Sequence, residues 1–174
     1  TFRNELKVRF RAIKPSDEDA MRRLFYRFSD KTIYRRFFYP IKTMPHDKMQ
    51  DYVNVDYSRA LSIIALVDEL DQSKIIAEAR FVRKEQSAYG DVAFAVDEKY
   101  QGLGIGTYLY DMLIRLAKAR GLKGFTAEVL DTNRGMIKVF EKGGMPMNAR
   151  LQEGLYRITI SFDDPTSQTK TVPV

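Results

Sequence analysis

Three glycines stand close together in residues 100–108, Tyr-Gln-Gly-Leu-Gly-Ile-Gly-Thr-Tyr. A strand-like run precedes this stretch and a helix-like run follows it. Glycine is costly inside either element, so this spacing indicates a turn whose backbone approaches something closely. The free N–H groups and the dipole of a helix start favour an anion. We therefore predict a diphosphate-binding turn. Its residues are Gln101, Gly102, Leu103, Gly104, Ile105, Gly106 and Thr107.

Two common nucleotide-binding motifs with similar glycines do not fit this turn. A P-loop needs lysine and then serine or threonine after its glycines, and here Ile105 follows Gly104. A Rossmann fingerprint needs a third glycine where Thr107 stands, and it belongs to a chain's first strand-helix unit, whereas this turn comes late. A tight connection without any ligand remains open.

The elements that position the turn follow from hydrophobic periodicity. Residues 7–14 alternate as a strand, and three helical segments follow, the first with a capping-box pattern at Ser16 and Asp19. Residues 60–70 and 74–84 predict a hairpin, and residues 90–100 contain a further strand. A helix over residues 105–120 follows the turn. Its predicted apolar face consists of Ile105, Tyr108, Leu109, Met112, Leu113 and Leu116.

The later chain predicts a strand at residues 124–131, a helix at residues 132–144 and a strand at residues 154–162. This order is typical of an α/β domain with a mixed, twisted sheet. We expect about six to seven strands flanked by about four to five helices. The prediction is one domain over residues 1–162, with residues 163–174 as a flexible tail.

Composition narrows the function classes. The 174 residues contain no cysteine and one histidine, which argues against disulfides, a cysteine-based site and a Ser-His-Asp site. No residue cluster has metal-ligand spacing, so no metal is predicted. The net charge of +6 suits an anionic partner, but the charges are scattered, so a nucleic-acid partner is not expected. We find no secretory signal and no membrane-spanning run, so no membrane partner is predicted and we expect a cytoplasmic protein.

Residues 101–106, Gln-Gly-Leu-Gly-Ile-Gly, match the Gln/Arg-x-x-Gly-x-Gly/Ala signature of the GNAT superfamily of acyl-CoA-dependent N-acyltransferases. Residues 92–145 resemble the core of that family from its strand 4 to its helix 4. Residues 12–38 also resemble GNAT domains attached to acyl-CoA synthetase-like or acetyl-CoA hydrolase/transferase domains, among them bacterial protein lysine acetyltransferases. Thr1 as first residue fits a domain cut from a longer protein with such an N-terminal partner.

The resemblance implies acetyl-CoA as cosubstrate and assigns residues to its binding. Backbone groups of Phe94, Ala95 and Val96 are expected to pair with the pantetheine arm. The amides of residues 101–107 are expected to hold the diphosphate. Asn133 stands where the family often has an asparagine that positions coenzyme A, although it is equally suited to cap the following helix.

The resemblance also implies direct attack by a primary amine on the thioester. A lysine amine has a pKa near 10.4 and must lose a proton first. Asp91 is the first candidate base, acting through a relay water, since related enzymes often carry a glutamate there. Glu128 is the second and Glu78 a weaker third, and a purely structural role is open for each. The backbone N–H of Val96 is expected to stabilise the developing oxyanion.

One position departs from the family. Many members protonate the leaving thiolate with a tyrosine, and Phe140 stands in its place here. We expect solvent to supply that proton, because a thiol pKa near 8.5 makes thiolate a tolerable leaving group. The leading hypothesis is an N-acetyltransferase acting on a protein lysine. The alternatives are a catalytically silent acyl-CoA-sensing domain and a small-amine acetyltransferase.

Overall fold

The computed structural model describes residues 2, 5–38 and 42–162. These residues form seven strands and five α-helices, which confirms the predicted mixed α/β fold. The strands are β1 Arg9–Ala12, β2 Ala60–Glu69, β3 Gln72–Arg83, β4 Tyr89–Val96, β5 Gly124–Leu130, β6 Met147–Gln152 and β7 Leu155–Ser161. The helices are α1 Glu18–Arg27, α2 Asp30–Phe37, α3 His46–Val53, α4 Ile105–Ala119 and α5 Arg134–Lys142. The predicted tail, residues 163–174, lies outside the described residues.

The strands form one sheet in the order β1-β2-β3-β4-β5-β7-β6. Neighbours are antiparallel except β4 and β5, which are parallel and joined by the crossover helix α4. Pairing between β4 and β5 is short: Tyr89 to Asp91 of β4 face Gly124 to Thr126 of β5. Beyond Asp91 the two strands separate, so β4 has an unpaired edge in the middle of the sheet.

Each face of the sheet has its own hydrophobic core. Helices α4 and α5 cover one face, onto which β4 directs Val92 and Phe94. Helices α1, α2 and α3 cover the other face, where Met21, Phe25 and Met49 pack. Because side chains alternate along a strand, Asp91, Ala93 and Ala95 point to this second face. One face of β4 therefore presents large apolar side chains, and the other presents a carboxylate and two alanine methyl groups.

The buried face of α4 differs from the predicted one. Leu109 and Leu113 are buried as expected, but Tyr108 is 43% exposed and Tyr110 is fully buried. The reason is that α4 packs on α5 as well as on the sheet, which widens its apolar face. The ring of Tyr110 lies 5.2 Å from that of Phe140, whereas Tyr108 packs on Phe10 near the surface.

The first helix begins later than its capping-box pattern indicates. Residues Pro15–Asp17 form a short 3-10 turn, and α1 starts at Glu18 without a side-chain cap. The carboxylate of Asp17 instead accepts a hydrogen bond from the backbone N–H of Lys14 at 2.7 Å and two from the guanidinium of Arg11. These contacts replace the predicted cap by Ser16.

The hydroxyl of Tyr110 is buried and has no hydrogen-bond partner among the described residues. An unsatisfied buried polar group costs about 1–3 kcal/mol. We therefore predict that Tyr110→Phe raises the free energy of unfolding by about 1 kcal/mol or more in urea titrations. Tyr57→Phe is the control, because the hydroxyl of Tyr57 donates to the carbonyl of Ile13 at 2.7 Å and its loss should destabilise the protein. Equal destabilisation by both variants would contradict the prediction.

Candidate active site

The unpaired edge of β4 presents the backbone of Phe94 and Val96. The N–H of Asp97 donates to the carbonyl of Ile76 in β3 at 2.8 Å. Because backbone groups alternate in direction along a strand, those of Phe94 and Val96 point away from β3. The side-chain amide of Gln101 reaches the carbonyl of Val96 on that side at 3.0 Å. The N–H groups of Phe94 and Val96 therefore face the space between β4 and β5.

Ala95 contributes differently from its two neighbours. Its backbone is directed to β3, where it lies opposite Glu78 in the antiparallel ladder. The side chain of Ala95 lines the space beside the unpaired edge. Ala95 can therefore shape a ligand site with its methyl group, while Phe94 and Val96 supply hydrogen-bonding groups.

The glycine turn leads directly into α4 and leaves its first amides free. Gly102 and Gly104 have φ values of 78° and 97°, a left-handed conformation that favours glycine. The first backbone bond of the helix runs from the N–H of Tyr108 to the carbonyl of Gly104. The N–H groups of residues 105–107 thus have no partner within the helix. They lie at its positive end, as an anion site requires.

A cavity of about 470 Å3, here called the main cavity, connects the glycine turn with the unpaired edge of β4. Its walls come from α2, β4, the turn and the first residues of α4, and α5. Most of the predicted cofactor-binding residues line this cavity, namely Phe94, Ala95, Val96, Gln101, Gly102, Gly104, Ile105, Gly106, Thr107 and Asn133. Leu103 is the exception, because its side chain packs against the core of the α4 face.

Five cationic side chains line the main cavity, and within the described part of the chain no carboxylate does. Arg134, Lys138 and Lys142 follow one another at four-residue steps on α5, so they share one face of that helix. Arg35 and Arg36 come from α2. The α5 residues were not predicted from the sequence, although their four-residue spacing on a predicted helix was a usable signal. The charge of this cavity suits a polyanion.

Asn133 caps helix α5 and also lines the cavity in which its contact with coenzyme A is predicted. Its side-chain oxygen accepts a long hydrogen bond of 3.4 Å from the N–H of Met136, which caps α5. It also lines the main cavity and the smaller cavity next to it. The cap fixes the side chain at the junction of the two cavities.

The smaller neighbour, here called the carboxylate cavity, has a volume of about 110 Å3 and contains both leading base candidates. Asp91 is exposed and accepts a hydrogen bond from the hydroxyl of Thr126 at 3.0 Å. The side chain of Glu128 is 47% exposed and lies 3.9 Å from the guanidinium of Arg157. Glu128 is therefore half-exposed and lies in an ion pair, which fits the structural role that the sequence left open for it.

Phe140 forms part of the wall of the carboxylate cavity. It is 2% exposed, and its ring lies 6.1 Å from that of Phe94 and 5.2 Å from that of Tyr110. These three rings fill the space between β4, α4 and α5. The position at which many family members have an acidic hydroxyl is thus an apolar packing position here.

The third base candidate, Glu78, belongs to a buried polar cluster under α3. It accepts hydrogen bonds from the hydroxyl of Tyr52 at 2.6 Å and from Nε of Arg80 at 2.7 Å. The guanidinium of Arg80 lies 3.6 Å from the ring centre of Tyr52, and Arg36 donates to the Tyr52 hydroxyl at 3.1 Å. Burial raises the pKa of Tyr52, so this hydroxyl stays protonated as a donor. Glu78 is thereby fully engaged in holding Tyr52 and Arg80.

Helix α2 is attached to the segment that precedes the glycine turn. The carboxylate of Glu98 accepts hydrogen bonds from the hydroxyl of Thr32 at 2.6 Å and from the N–H of Ser29. These bonds lower the pKa of Glu98. Tyr100 donates to Glu69 at 2.7 Å, and burial together with this bond raises the pKa of Tyr100 to about 12. Both contacts hold the entry to the turn in place.

Neither a metal cluster nor a membrane-spanning helix occurs in the part of the chain that the structure describes. No group of three or more His, Cys, Asp or Glu side chains there is arranged to hold a metal ion. None of the helices over those residues has the length and apolar character needed to cross a bilayer.

Comparison with known proteins identifies the relatives of this chain. Acetyltransferase Pat of Mycolicibacterium smegmatis is 36% identical over 136 residues, which are 77% of this chain and 40% of that protein. The chain therefore spans two fifths of the length of that relative. The GNAT domain of S. lividans PAT superposes with a TM-score of 0.82 at 26% identity, over 92% of this chain and 94% of that one.

Spermidine N-acetyltransferase of Vibrio cholerae, solved with CoA and spermine, shares the fold with a TM-score of 0.71 at 14% identity. The superposition covers 88% of this chain and 95% of that enzyme. Residues 21–145 match the family described as acetyltransferase (GNAT) family. This match covers well over half of the sequence, so the chain is a member of the acetyltransferase (GNAT) family.

Proposed function

We propose that this chain transfers an acetyl group from acetyl-CoA to a primary amine, with a protein lysine as the leading acceptor. The observation that carries the proposal is the difference in charge between two adjoining cavities. The main cavity has five cations and no carboxylate in its described lining, whereas its neighbour contains the two carboxylates of Asp91 and Glu128. Arg35 and Arg36 line both cavities, so the three basic residues of α5 belong to the first cavity alone and the two carboxylates to the second alone. A polyanionic cosubstrate fits the first cavity, and the carboxylates of the second can accept a proton from an amine.

In this proposal the main cavity holds coenzyme A along its length. The free amides of residues 105–107 and the glycine turn bind the diphosphate. The pantetheine arm lies beside the unpaired edge of β4, where the backbone groups of Phe94 and Val96 pair with it as a neighbouring strand would. The basic face of α5 attracts the remaining phosphate, and Asn133 contacts the arm near the junction of the cavities.

The amine then approaches from the carboxylate cavity. Asp91 accepts its proton through a water, and the neutral amine attacks the thioester carbon. Negative charge develops on the carbonyl oxygen, and the N–H of Val96 stabilises it. The C–S bond breaks, the thiolate leaves, and solvent protonates it because Phe140 has no proton to give. Glu128 is the alternative base in this scheme.

The choice of acceptor rests on the narrower likeness of residues 12–38 to GNAT domains of bacterial protein lysine acetyltransferases, and on the relative named Acetyltransferase Pat. The chain spans 40% of that relative, so an attached domain that handles acyl-CoA is part of the proposal. We also propose a cytoplasmic location, where acetyl-CoA is available, and expect neither nucleic acid nor membrane as a partner.

The acceptor is tested by measuring release of coenzyme A with three groups of amines at equal concentration. The groups are lysine-bearing proteins, polyamines and free amino acids. We expect release to depend on protein lysines, with acetyl-lysine found by mass spectrometry. Release with polyamines or amino acids alone would favour a small-amine enzyme. Tight binding of acetyl-CoA without transfer to any amine would favour the sensing domain suggested by Phe140.

We predict that Gly104→Glu weakens binding of coenzyme A by at least about tenfold, measured by calorimetry. The new carboxylate meets little steric obstruction, since the nearest atom to an added Cβ is a ring carbon of Phe2 at 3.9 Å, but it brings negative charge to the diphosphate site. Loss of one charged hydrogen bond corresponds to about 1.5–3 kcal/mol.

Gly121→Glu is the matched control for this variant. Gly121 also has a left-handed backbone, with a φ of 83°, and no atom within 4 Å of an added Cβ, but it follows α4 at the opposite end. Both variants experience similar backbone strain, so only Gly104→Glu should lose affinity. Retained affinity in Gly104→Glu would contradict a diphosphate in the turn.

We predict that Asp91→Asn lowers turnover by about 100-fold or more at saturating amine, since a positioned base contributes about 100- to 10,000-fold. Affinity for acetyl-CoA should stay within about twofold, because Asp91 lies outside the main cavity. Glu128→Gln, measured alongside, should keep its turnover. If Glu128→Gln loses turnover and Asp91→Asn keeps it, Glu128 is the base. If neither variant loses turnover, solvent water is the base.

A further inference from the structure

The sheet face that carries Asp91 continues past the carboxylate cavity across β5, β7 and β6. Thr126 of β5 is the neighbour of Asp91 in the parallel ladder and donates a hydrogen bond to it at 3.0 Å. Side chains directly opposite each other in an antiparallel ladder share a face, so the ladders of β5 with β7 and of β7 with β6 extend this one. Its members are Thr126, Glu128, Arg157, Thr159, Asn148 and Arg150. We call this surface the open face.

No helix packs on the open face in the part of the chain that the structure describes. The core under α1, α2 and α3 takes its strand residues from β2 and β3, and none from β5, β6 or β7. On the other side of the sheet, Phe125 of β5 and Ile158 of β7 are buried in the core under α4 and α5. Thr126 is half-buried, and the other members of the open face are exposed. The open face is therefore a polar, solvent-facing surface that adjoins the candidate base Asp91.

Two arginines stand side by side on the open face. Arg150 and Arg157 are directly opposite each other in the ladder of β6 and β7, and like charges in such positions destabilise a sheet. Arg157 has the carboxylate of Glu128 at 3.9 Å. Within the described residues, neither Glu153 of the β6–β7 turn nor any other carboxylate forms an ion pair with Arg150. The two cations thus share one carboxylate, and a second carboxylate from another molecule would complete the pairing.

The spacing of the sheet limits what can reach both Asp91 and this arginine pair. Neighbouring strands lie about 4.8 Å apart, and successive residues of a strand rise about 3.3 Å. Arg157 is two strands from Asp91 and Arg150 is three, both about two residues further along. Their backbones are therefore about 12 Å and about 16 Å from that of Asp91. An extended segment whose lysine reaches Asp91 passes the arginines within about five residues of that lysine.

We propose that the open face binds the segment of the acceptor protein around the target lysine, and that Arg150 and Arg157 select segments with aspartate or glutamate near that lysine. This inference rests on the proposed function, because it takes the acceptor to be a protein lysine. Charge complementarity between the arginine pair and an acidic segment supports it, as does the continuity of the open face with Asp91. A small amine has no neighbouring carboxylate and gains nothing from these arginines.

The preference for acidic segments should be moderate and sensitive to salt. Both arginines are exposed, and one exposed ion pair changes affinity by a factor of about 1.5 to 5. Two such pairs together give about fivefold. Asp91 and Glu128 repel a carboxylate close to the lysine, so the effect belongs to positions about four residues away. Because the Debye length falls from about 10 Å at 0.1 M salt to about 3 Å at 1 M, high salt should remove most of the preference.

The test uses three peptides of about eleven residues, each with one central lysine and blocked ends. Glutamate, glutamine or arginine stands about four residues from the lysine on both sides, so either direction of binding brings it to the arginine pair. Initial rates of coenzyme A release give kcat/KM for each peptide. We expect the wild type to use the glutamate peptide about fivefold better than the glutamine peptide at low salt, and the arginine peptide least. At 1 M salt the difference should shrink to within about twofold.

Arg150→Glu is the decisive variant, because Arg150 is exposed and has no ion pair within the described residues to lose. It should bring kcat/KM for the arginine peptide at least to that for the glutamate peptide. Affinity for acetyl-CoA and turnover with the glutamine peptide should stay within about twofold of the wild type. Arg115→Glu is the matched control, since it changes the net charge equally at an exposed position of α4, which covers the other face of the sheet. It should keep the wild-type order of peptides.

Equal use of the three peptides by the wild type, or an unchanged order in Arg150→Glu, would overturn the inference and leave the proposed function standing. Release of coenzyme A with lysine-bearing proteins but with none of the peptides would also overturn it. If Arg150→Glu changes the molar mass in analytical ultracentrifugation but not the order of peptides, the open face joins copies of this chain, and the inference is wrong. Absence of release with every protein and peptide would instead contradict the proposed function.

Discussion

The separation of β4 from β5 after Asp91 is the constraint on which the rest of the site depends. Backbone N–H and C=O groups need partners, and an unpaired strand edge inside a sheet leaves such groups free. Here the N–H groups of Phe94 and Val96 face a cavity of about 470 Å3, while the carbonyl of Val96 accepts a hydrogen bond from the side chain of Gln101. The sheet thus leaves a vacant strand position, and an extended chain with amide groups can fill it.

The surrounding elements add charge to this vacant position. The parallel pairing of β4 and β5 requires a crossover, and the crossover helix α4 begins at the glycine turn, where its first amides are free. Helix α5 then brings three basic side chains to the same cavity, while the carboxylates of Asp91 and Glu128 face the adjoining one. The bond between Thr32 and Glu98 fixes α2 relative to the turn, so Arg35 and Arg36 stay at the junction. One topological feature therefore separates a basic region, which we propose for a polyanion, from a region with two carboxylates, which we propose for an amine.

Periodicity was enough to predict most elements and the mixed α/β class, because strands and helices in this chain have distinct hydrophobic periods. The glycine turn was also predictable, because glycines so close together are costly inside a helix or a strand and therefore indicate a turn. Contacts between elements were harder to foresee. The burial of Tyr110 in place of Tyr108 depends on the packing of α5 against α4, and the direction of the Ala95 backbone depends on the register with Glu78. The exposure of Glu128 depends on which face of β5 is covered. None of these is encoded within a short window of residues.

The most direct test of the central claim is a crystal structure of this protein with coenzyme A. The account predicts that the diphosphate contacts main-chain amides of residues 101–107 and that the pantetheine arm lies beside β4, with hydrogen bonds to the backbone of Phe94 and Val96. A structure in which the nucleotide binds elsewhere, or in which the arm avoids the free edge of β4, would contradict it.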